Sequence, residues 1–352
     1  MKRKALLVAL MIGLLTLVGG PAPASANIDL GLAGQYAVFG LGSSAALGGH
    51  DTLTDNTAEI YGSVAVGADT ASGTAAGNGT FQKGFITGNL AVDGPTTPAS
   101  YTIVNKNFTV GGTVSGTTPA NPGPNPDSTG TGTFNLVPAV QAAIDRSAFY
   151  NALANTGSIP GNAISLNSAN QTVQAGVYHI TDFSMNSGSI LTINGSASDT
   201  LVLNISGAFS FAKSFIHLTG GITSDNVLFN VTGNDATSAG TASISGDNSV
   251  FFGTLLAVGR NIDIQGIGSH NGFIQGVSFG TNGDDGNPGL EGRVIGALGS
   301  VANNPLLLNI YSGAEVDYCC TPVPEPITMF LGGTGLLALG YAARKRLFSR
   351  SV

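Results

Sequence analysis

The chain has 352 residues, of which 42% are hydrophobic and only 9% charged, with 13 Lys and Arg against 20 Asp and Glu. Seven of the cations sit in the two ends (Lys2, Arg3, Lys4, Arg344, Lys345, Arg346, Arg350) and every acid lies between Asp29 and Glu325, so the body carries six cations against 20 acids, about −14. That charge argues against a nucleic-acid partner, and the high apolar content argues against disorder, which pairs low hydrophobicity with high charge.

Residues 1–26 read as a Sec signal peptide. Lys2, Arg3 and Lys4 form a basic start, Ala5 to Val18 is an apolar run, and the small residues Ala24 and Ala26 suit the peptidase pockets, with cleavage expected after Ala26. The Sec machinery is therefore an expected partner. The apolar run is shorter than the ~20 residues of a membrane anchor.

The body, 27–318, opens on an apolar segment, Ile28 to Phe39, expected as one strand. Short alternating runs follow, punctuated by Gly and Asn. Gly62-Ser63-Val64-Ala65-Val66, Gly88-Asn89-Leu90-Ala91-Val92, Lys106-Asn107-Phe108-Thr109-Val110 and Arg260-Asn261-Ile262-Asp263-Ile264 share one shape. In each, apolar-x-apolar puts two side chains on one face of a strand. The irregular spacing of the first three is in the range of a solenoid turn. A parallel β-helix with uneven rungs fits better than a β-sandwich, because Asn and Gly corners are frequent and two-residue hairpin turns scarce. The expected fold is thus mostly β, a parallel solenoid with one flanking helix.

Residues 117–133 are rich in Pro, Gly and Thr and read as a loop. The helix is expected over 138–154, with Pro138 in its first turn and Val140, Ile144, Ser147 and Ala148 on one stripe, packing along a sheet. Strands are expected over Thr172 to Ile180, Ile190 to Ile193, Thr200 to Ile205, Asn226 to Val231, Ser249 to Val258 and Gly272 to Val277.

The order of this helix, Gly176-Val177-Tyr178, Leu203-Asn204-Ile205-Ser206-Gly207, Asn226 to Val231 and Phe252-Gly253-Thr254-Leu255-Leu256-Ala257 resembles the adhesin-like domain of choice-of-anchor A proteins. It is also similar to the ice-binding-like domain, a β-solenoid with a helix laid along it. The resemblance covers roughly Leu30 to Val301 and implies either an adhesive surface protein or an ice-binding one. Ice binding needs a flat face with regularly spaced Thr; Thr129, Thr131 and Thr133 alternate, but in the expected loop, and Thr is scattered elsewhere.

No nucleophile elbow, zinc-type His pair or phosphate loop occurs, so no enzyme is expected. Among the histidines, His50, His179, His217 and His270, the second and third are expected to face solvent from strands. The one candidate metal site is Asp284, Asp285, Asn287 and Glu291, whose oxygens in a Gly-rich loop suit Ca²⁺. A plain solvated loop is the competing reading.

Residues 319–326 form a linker that begins with the only cysteines, Cys319 and Cys320, and ends in Val323, Pro324, Glu325 and Pro326. A membrane helix and basic tail are expected over 327–346, an apolar run closed by Arg344, Lys345 and Arg346, which the positive-inside rule holds in the cytoplasm. These three parts together resemble the PEP-CTERM sorting signal. The resemblance implies hand-over to an exosortase, transient retention in the inner membrane, removal of the tail near Glu325, and delivery to the cell surface or matrix, with exopolysaccharide among the expected partners.

Overall fold

The computed structural model describes residues 27–43, 51–56, 59–67, 78–82, 85–86, 89–92, 96–98, 103–104, 108–110, 136–232, 240–245, 249–265, 290–299, 306, 308–310 and 315–317. Every strand pairing among them is parallel. The body is a parallel β-solenoid with one helix, as the sequence predicted, and it has three faces.

One face is a nine-stranded sheet in the order Phe108–Val110, Leu90–Val92, Val64–Val66, Val38–Ser43, Val294–Gly299, Thr254–Ala257, Val227–Val231, Leu201–Ile205, Gly176–Ile180. A second nine-stranded sheet runs Ala163–Asn167, Asp182–Asn186, Phe209–Ala212, Ala242–Ser245, Ile262–Gln265, Leu308–Ile310, Asp51–Asn56, Asn78–Gln82, Thr96–Pro98. The third face joins Asn170–Gln174, Ile190–Asn194 and Phe215–Thr219, through a Phe215 to Val250 bridge, to Phe251–Phe252, Leu290–Glu291, Glu315–Asp317, Glu59–Tyr61, Phe85–Ile86 and Ile103–Val104.

The order of rungs is not the order of the sequence. The chain enters in mid-stack at Val38–Ser43, winds to one end at Phe108–Val110, and re-enters at the opposite end with Ala163–Asn167. It then winds back until its last rung lies against its first, with Val38 beside Val294, Leu53 beside Leu308 and Ile60 beside Val316.

The helix linking the two windings, α1 (Val137–Asn151), lies on the first sheet. It buries Ala139, Val140, Ala143, Ser147 and Tyr150 against Phe39, Leu41, Ala65, Val202, Leu228, Leu256 and Ile295. That sheet is covered on both sides, so Leu201–Ile205 and Val227–Val231 are buried throughout. Ala148 is exposed and Ile144 only half-buried; the packed stripe is rotated from the expected one toward Ala139, Ala143 and Tyr150.

Inside the solenoid, parallel register lines up like side chains on successive rungs. Phe183 stacks on Phe209 at 5.1 Å, and Phe229 meets Phe251 at 4.6 Å, forming an aromatic column in the core. Gly62, Gly176, Gly253 and Gly292 all have positive φ where the chain turns from the third face onto the helix-covered sheet. Two expected strands are therefore bent pairs: Thr172 to Ile180 breaks at Gly176, and Ser249 to Val258 at Gly253. The opening Ile28 to Phe39 is also not one strand, since Gly31–Gln35 forms a short 3-10 helix before Val38. The expected strand Gly272 to Val277 and the loop 117–133 lie outside the described residues.

Candidate functional site

Where α1 lies on it the first sheet is covered on both sides, and a buried polar network locks that cover in place. The Ser147 hydroxyl donates to Asn230 Oδ1 at 2.7 Å, while Asn230 Nδ2 donates to the Ser147 carbonyl at 2.9 Å and to Asn204 Oδ1 at 2.7 Å. Asn204 Nδ2 completes the chain by donating to the Tyr150 carbonyl at 2.9 Å. His179, expected in solvent, instead places Nε2 2.8 Å from the Leu153 carbonyl, just past the helix. The N-terminal segment is held by an Arg146–Asp29 ion pair and by the Tyr150 hydroxyl, which accepts the Asp29 N–H at 2.9 Å and donates to its carbonyl at 3.1 Å.

The second sheet faces the core on one side only. Ile164, Leu166, Phe183, Met185, Phe209, Phe211, Ile244, Ile262 and Ile264 point inward and are buried. The alternate residues stand in columns on the outer side. Register aligns Ser165, Ser184, Ser210, Ser243, Asp263 and Asn309 on consecutive rungs and continues through positions Thr54, Thr80 and Thr97. Adjacent rungs stand about 4.8 Å apart, so the column is a periodic array of small hydrogen-bonding groups on a parallel sheet. Asn167 and Asn186 begin a second column beside it. This open sheet is the best candidate for a binding surface.

Its regularity was invisible in the sequence. Leu90 pairs with Phe108 but Leu255 with Val294, so there is no fixed period, and the permuted rung order sets Asn309 beside Thr54. Only the register shows that the scattered Ser and Thr share a line.

The third face is polar at one end, where Gln174, Asn194 and Thr219 stack: Asn194 Nδ2 donates to Gln174 Oε1 at 2.9 Å and the Thr219 hydroxyl donates to Asn194 Oδ1 at 3.1 Å. His217 is half-buried there, in register with Thr192. Of the expected Ca²⁺ ligands, Asp284, Asp285 and Asn287 lie outside the described residues. Glu291 falls in a strand, Leu290–Glu291, rather than a loop, in register with Asp317; the neighbouring pair is Glu315 and Glu59. Among the described residues no group of three or more His, Cys, Asp or Glu side chains could hold a metal ion, and none of the described helices is long and apolar enough to cross a membrane. The signal segment with Ala24 and Ala26, and the tail with Val323, Pro324, Glu325, Pro326, Arg344, Lys345 and Arg346, lie outside the described residues, as do His50 and His270.

A permuted three-faced parallel solenoid, braced by one helix and, among the described residues, with no element laid on the outer side of its second nine-stranded sheet, defines a class of β-scaffold proteins. The chain belongs to the ice-binding-like adhesive domain family, which it matches over residues 29–286, and it carries a PEP-CTERM protein-sorting motif over residues 322–346. That motif implies export, membrane-anchored sorting and exosortase processing. Among solved structures the chain is similar to an ice-binding protein from the Antarctic ascomycete Antarctomyces psychrotrophicus, at 17% identity over 84% of this chain and 100% of that one, with a TM-score of 0.46. A glycosylated ice-binding protein from an Arctic yeast gives 16% identity over 86% of this chain and 98% of that one (TM-score 0.42). A Shewanella frigidimarina ice-binding protein domain gives 16% over 83% and 98% (TM-score 0.40). No curated protein sequence matches the chain.

Proposed function

We propose that the chain is an adhesin-like structural and binding protein of the cell surface or extracellular matrix, without enzymatic activity, which contacts its ligand through the open sheet. The observation that carries this reading is the column from Ser165 to Asn309 on a face that the helix does not cover. Small hydroxyl and amide groups, with the one carboxylate of Asp263, at a constant rung spacing match a ligand that is itself periodic, such as exopolysaccharide, and bond it by many weak contacts rather than one pocket. The test is binding of the exported protein to cell-surface polysaccharide and to whole cells, wild type beside Ser184→Tyr/Ser243→Tyr. Both are outer-face positions where tyrosine suits a strand but breaks the flat line. At least a tenfold loss, about 1.4 kcal/mol, is expected; undiminished binding moves the site off this sheet.

The same hydroxyl array favours a second reading, binding to ice, because Ser165, Ser184, Ser210 and Ser243 stand in register, a regular order that the linear sequence hides. Thermal hysteresis measured on the same samples separates the two. Hysteresis lost in the double variant, without polysaccharide binding in the wild type, selects ice. For sorting, Glu325→Ala is expected to hold the protein in the inner membrane at full tail mass, whereas the wild type loses its tail. Should the wild type keep its tail, exosortase processing is ruled out. The Asp284, Asp285, Asn287 and Glu291 set as a Ca²⁺ site is tested by EDTA, which should lower the melting temperature if the ion is bound.

A further inference from the structure

Among the described residues the rung made of Ala163–Asn167, Asn170–Gln174 and Gly176–Ile180 ends the stack, and each of its strands has a neighbour on one side only. One of the three edges is closed by the segment that follows the helix. Thr156 N–H donates to the Val177 carbonyl at 2.9 Å, Val177 N–H to Thr156 Oγ1 at 2.7 Å, and His179 N–H to Asn155 Oδ1 at 2.8 Å. The other two edges have no such cover. Apart from the Gln174 carbonyl, which accepts the Tyr178 hydroxyl at 2.9 Å, no backbone group of 163–167 or 170–174 bonds anything on its outer side among the described residues.

Open parallel edges are usually blunted by Lys, Pro or inward charges that prevent pairing with another chain. Here there is no blunting charge. From Ser147 to Thr181 the sequence contains no Asp, Glu, Lys or Arg, although the body as a whole holds 20 acids against six cations. Two copies would repel each other wherever that acidity is spread, and least at this end. Ser165, Asn167, Asn170, Thr172 and Gln174 are exposed along the edges, and each of these side chains both donates and accepts hydrogen bonds. A surface of that kind complements its own copy across a two-fold axis, which a surface of single-sign charges cannot do.

We propose that this terminal rung is a homotypic docking surface, where Asn170–Gln174 pairs antiparallel with the same strand of a second copy and extends the third face across the junction. Thr172, the central residue of the strand, stands opposite Thr172 of the partner copy. The contact is one rung in cross-section, smaller than the ~800 Å² per partner of a stable complex. It therefore joins copies held close together, as on a membrane or cell surface, more than copies free in solution. The proposal is independent of which ligand the open sheet takes.

The test is sedimentation velocity of the full-length chain in non-denaturing detergent from about 1 μM to about 1 mM, the range of weak contacts, with amide hydrogen exchange on the same samples. The expected result is a sedimentation coefficient that rises with concentration, with added protection confined to 163–174. Thr172→Lys places like charges opposite each other at the axis and should abolish both effects. Ser243→Lys, an outer-face change three rungs away on the open sheet, should associate as the wild type does. A wild type monomeric throughout overturns the proposal, as does association that Thr172→Lys leaves intact or protection that appears elsewhere.

Discussion

Asn230→Ala tests whether the buried amide network, rather than apolar contact alone, fixes α1 on the solenoid. The substitution removes three hydrogen bonds of 2.7, 2.9 and 2.7 Å, to the Ser147 hydroxyl, the Ser147 carbonyl and Asn204 Oδ1. Each is worth about 1 kcal/mol net, and stranding buried Asn204 Oδ1 without a donor adds about 1–3 kcal/mol. The Ser147 hydroxyl can turn back to a helix carbonyl, which offsets part of the loss, so we expect a cost of about 3–5 kcal/mol. At roughly 2 °C per kcal/mol for a domain of this size, the melting temperature should fall by about 6–10 °C. Calorimetry of wild type, Ser147→Ala, Asn230→Ala and the double variant closes a cycle in which Ser147 and Asn230 couple by about 1–2 kcal/mol. A loss under about 0.5 kcal/mol, the scale of a neutral surface change, would show that the apolar stripe alone seats the helix and that the network is incidental.

Gly292→Ala should be among the most damaging small substitutions in the body. Gly292 has φ +149, and a Cβ there would overlap the carbonyl of Gly253 on the rung below; a melt should show a loss of about 3 kcal/mol or more from strain and displaced backbone, whereas Gly161→Ala, with nothing within 4 Å of the new Cβ, should cost only its positive-φ strain, about 1 kcal/mol. Burial raises the Tyr150 hydroxyl above its usual pKa near 10, with the backbone hydrogen bond from Asp29 opposing the rise. The folded value thus exceeds the unfolded one. The stabilisation is fully present below pH 10 and is lost as pH rises through the raised value, because the phenolate cannot donate to the Asp29 carbonyl. Alkaline titration followed by hydrogen exchange should release residues 27–35 in this range, and Tyr150→Phe should remove the pH-dependent limb at a fixed cost of about 1 kcal/mol. Release of the segment in Tyr150→Phe with an unchanged pH profile would assign the transition to another group.

The solenoid was legible because its local rule is simple. Apolar-x-apolar runs beginning at Val64, Leu90 and Phe108 do stack as neighbours, residue on residue. The fourth run of the same shape, at Ile262, belongs to the open sheet instead, since the rule states which residues face inward but not which face of the triangle a strand joins. Corners were the harder part. Gly176 and Gly253 each sit inside an apolar stretch that reads as one strand, and their positive φ, which makes the corner, has no signature beyond the glycine itself. The helix stripe was misplaced by one position per turn because alanines, rather than the larger Ile144, face the sheet. The close approach of Val140 to Gly67 shows how little room there is between helix and strands.

The permuted order of rungs creates a seam where the first and last coils of the chain meet. In the N-terminal winding the strands shorten away from the seam, from six residues at Val38–Ser43 and Asp51–Asn56 to two or three at Phe85–Ile86, Leu90–Val92, Ile103–Val104 and Phe108–Val110, whereas those from Ala163 to Gln265 are mostly four or five and share the Phe183, Phe209, Phe229 and Phe251 column. In a stack where each rung contacts only its neighbours, stability is close to a sum of rung and interface contributions. Leu308 is fully buried between Leu53 and Ile262, at the seam, and Leu308→Ala should cost about 2–5 kcal/mol. Because α1 bridges the windings on one side only, this loss should fall on the shorter one. Hydrogen exchange is expected to accelerate in the strands from Asp51 to Val110 while those from Gly176 to Val231 keep their protection. Uniform acceleration across both windings would mean that the nine rungs open as one cooperative unit, and that the seam is as strong as any other junction in the stack.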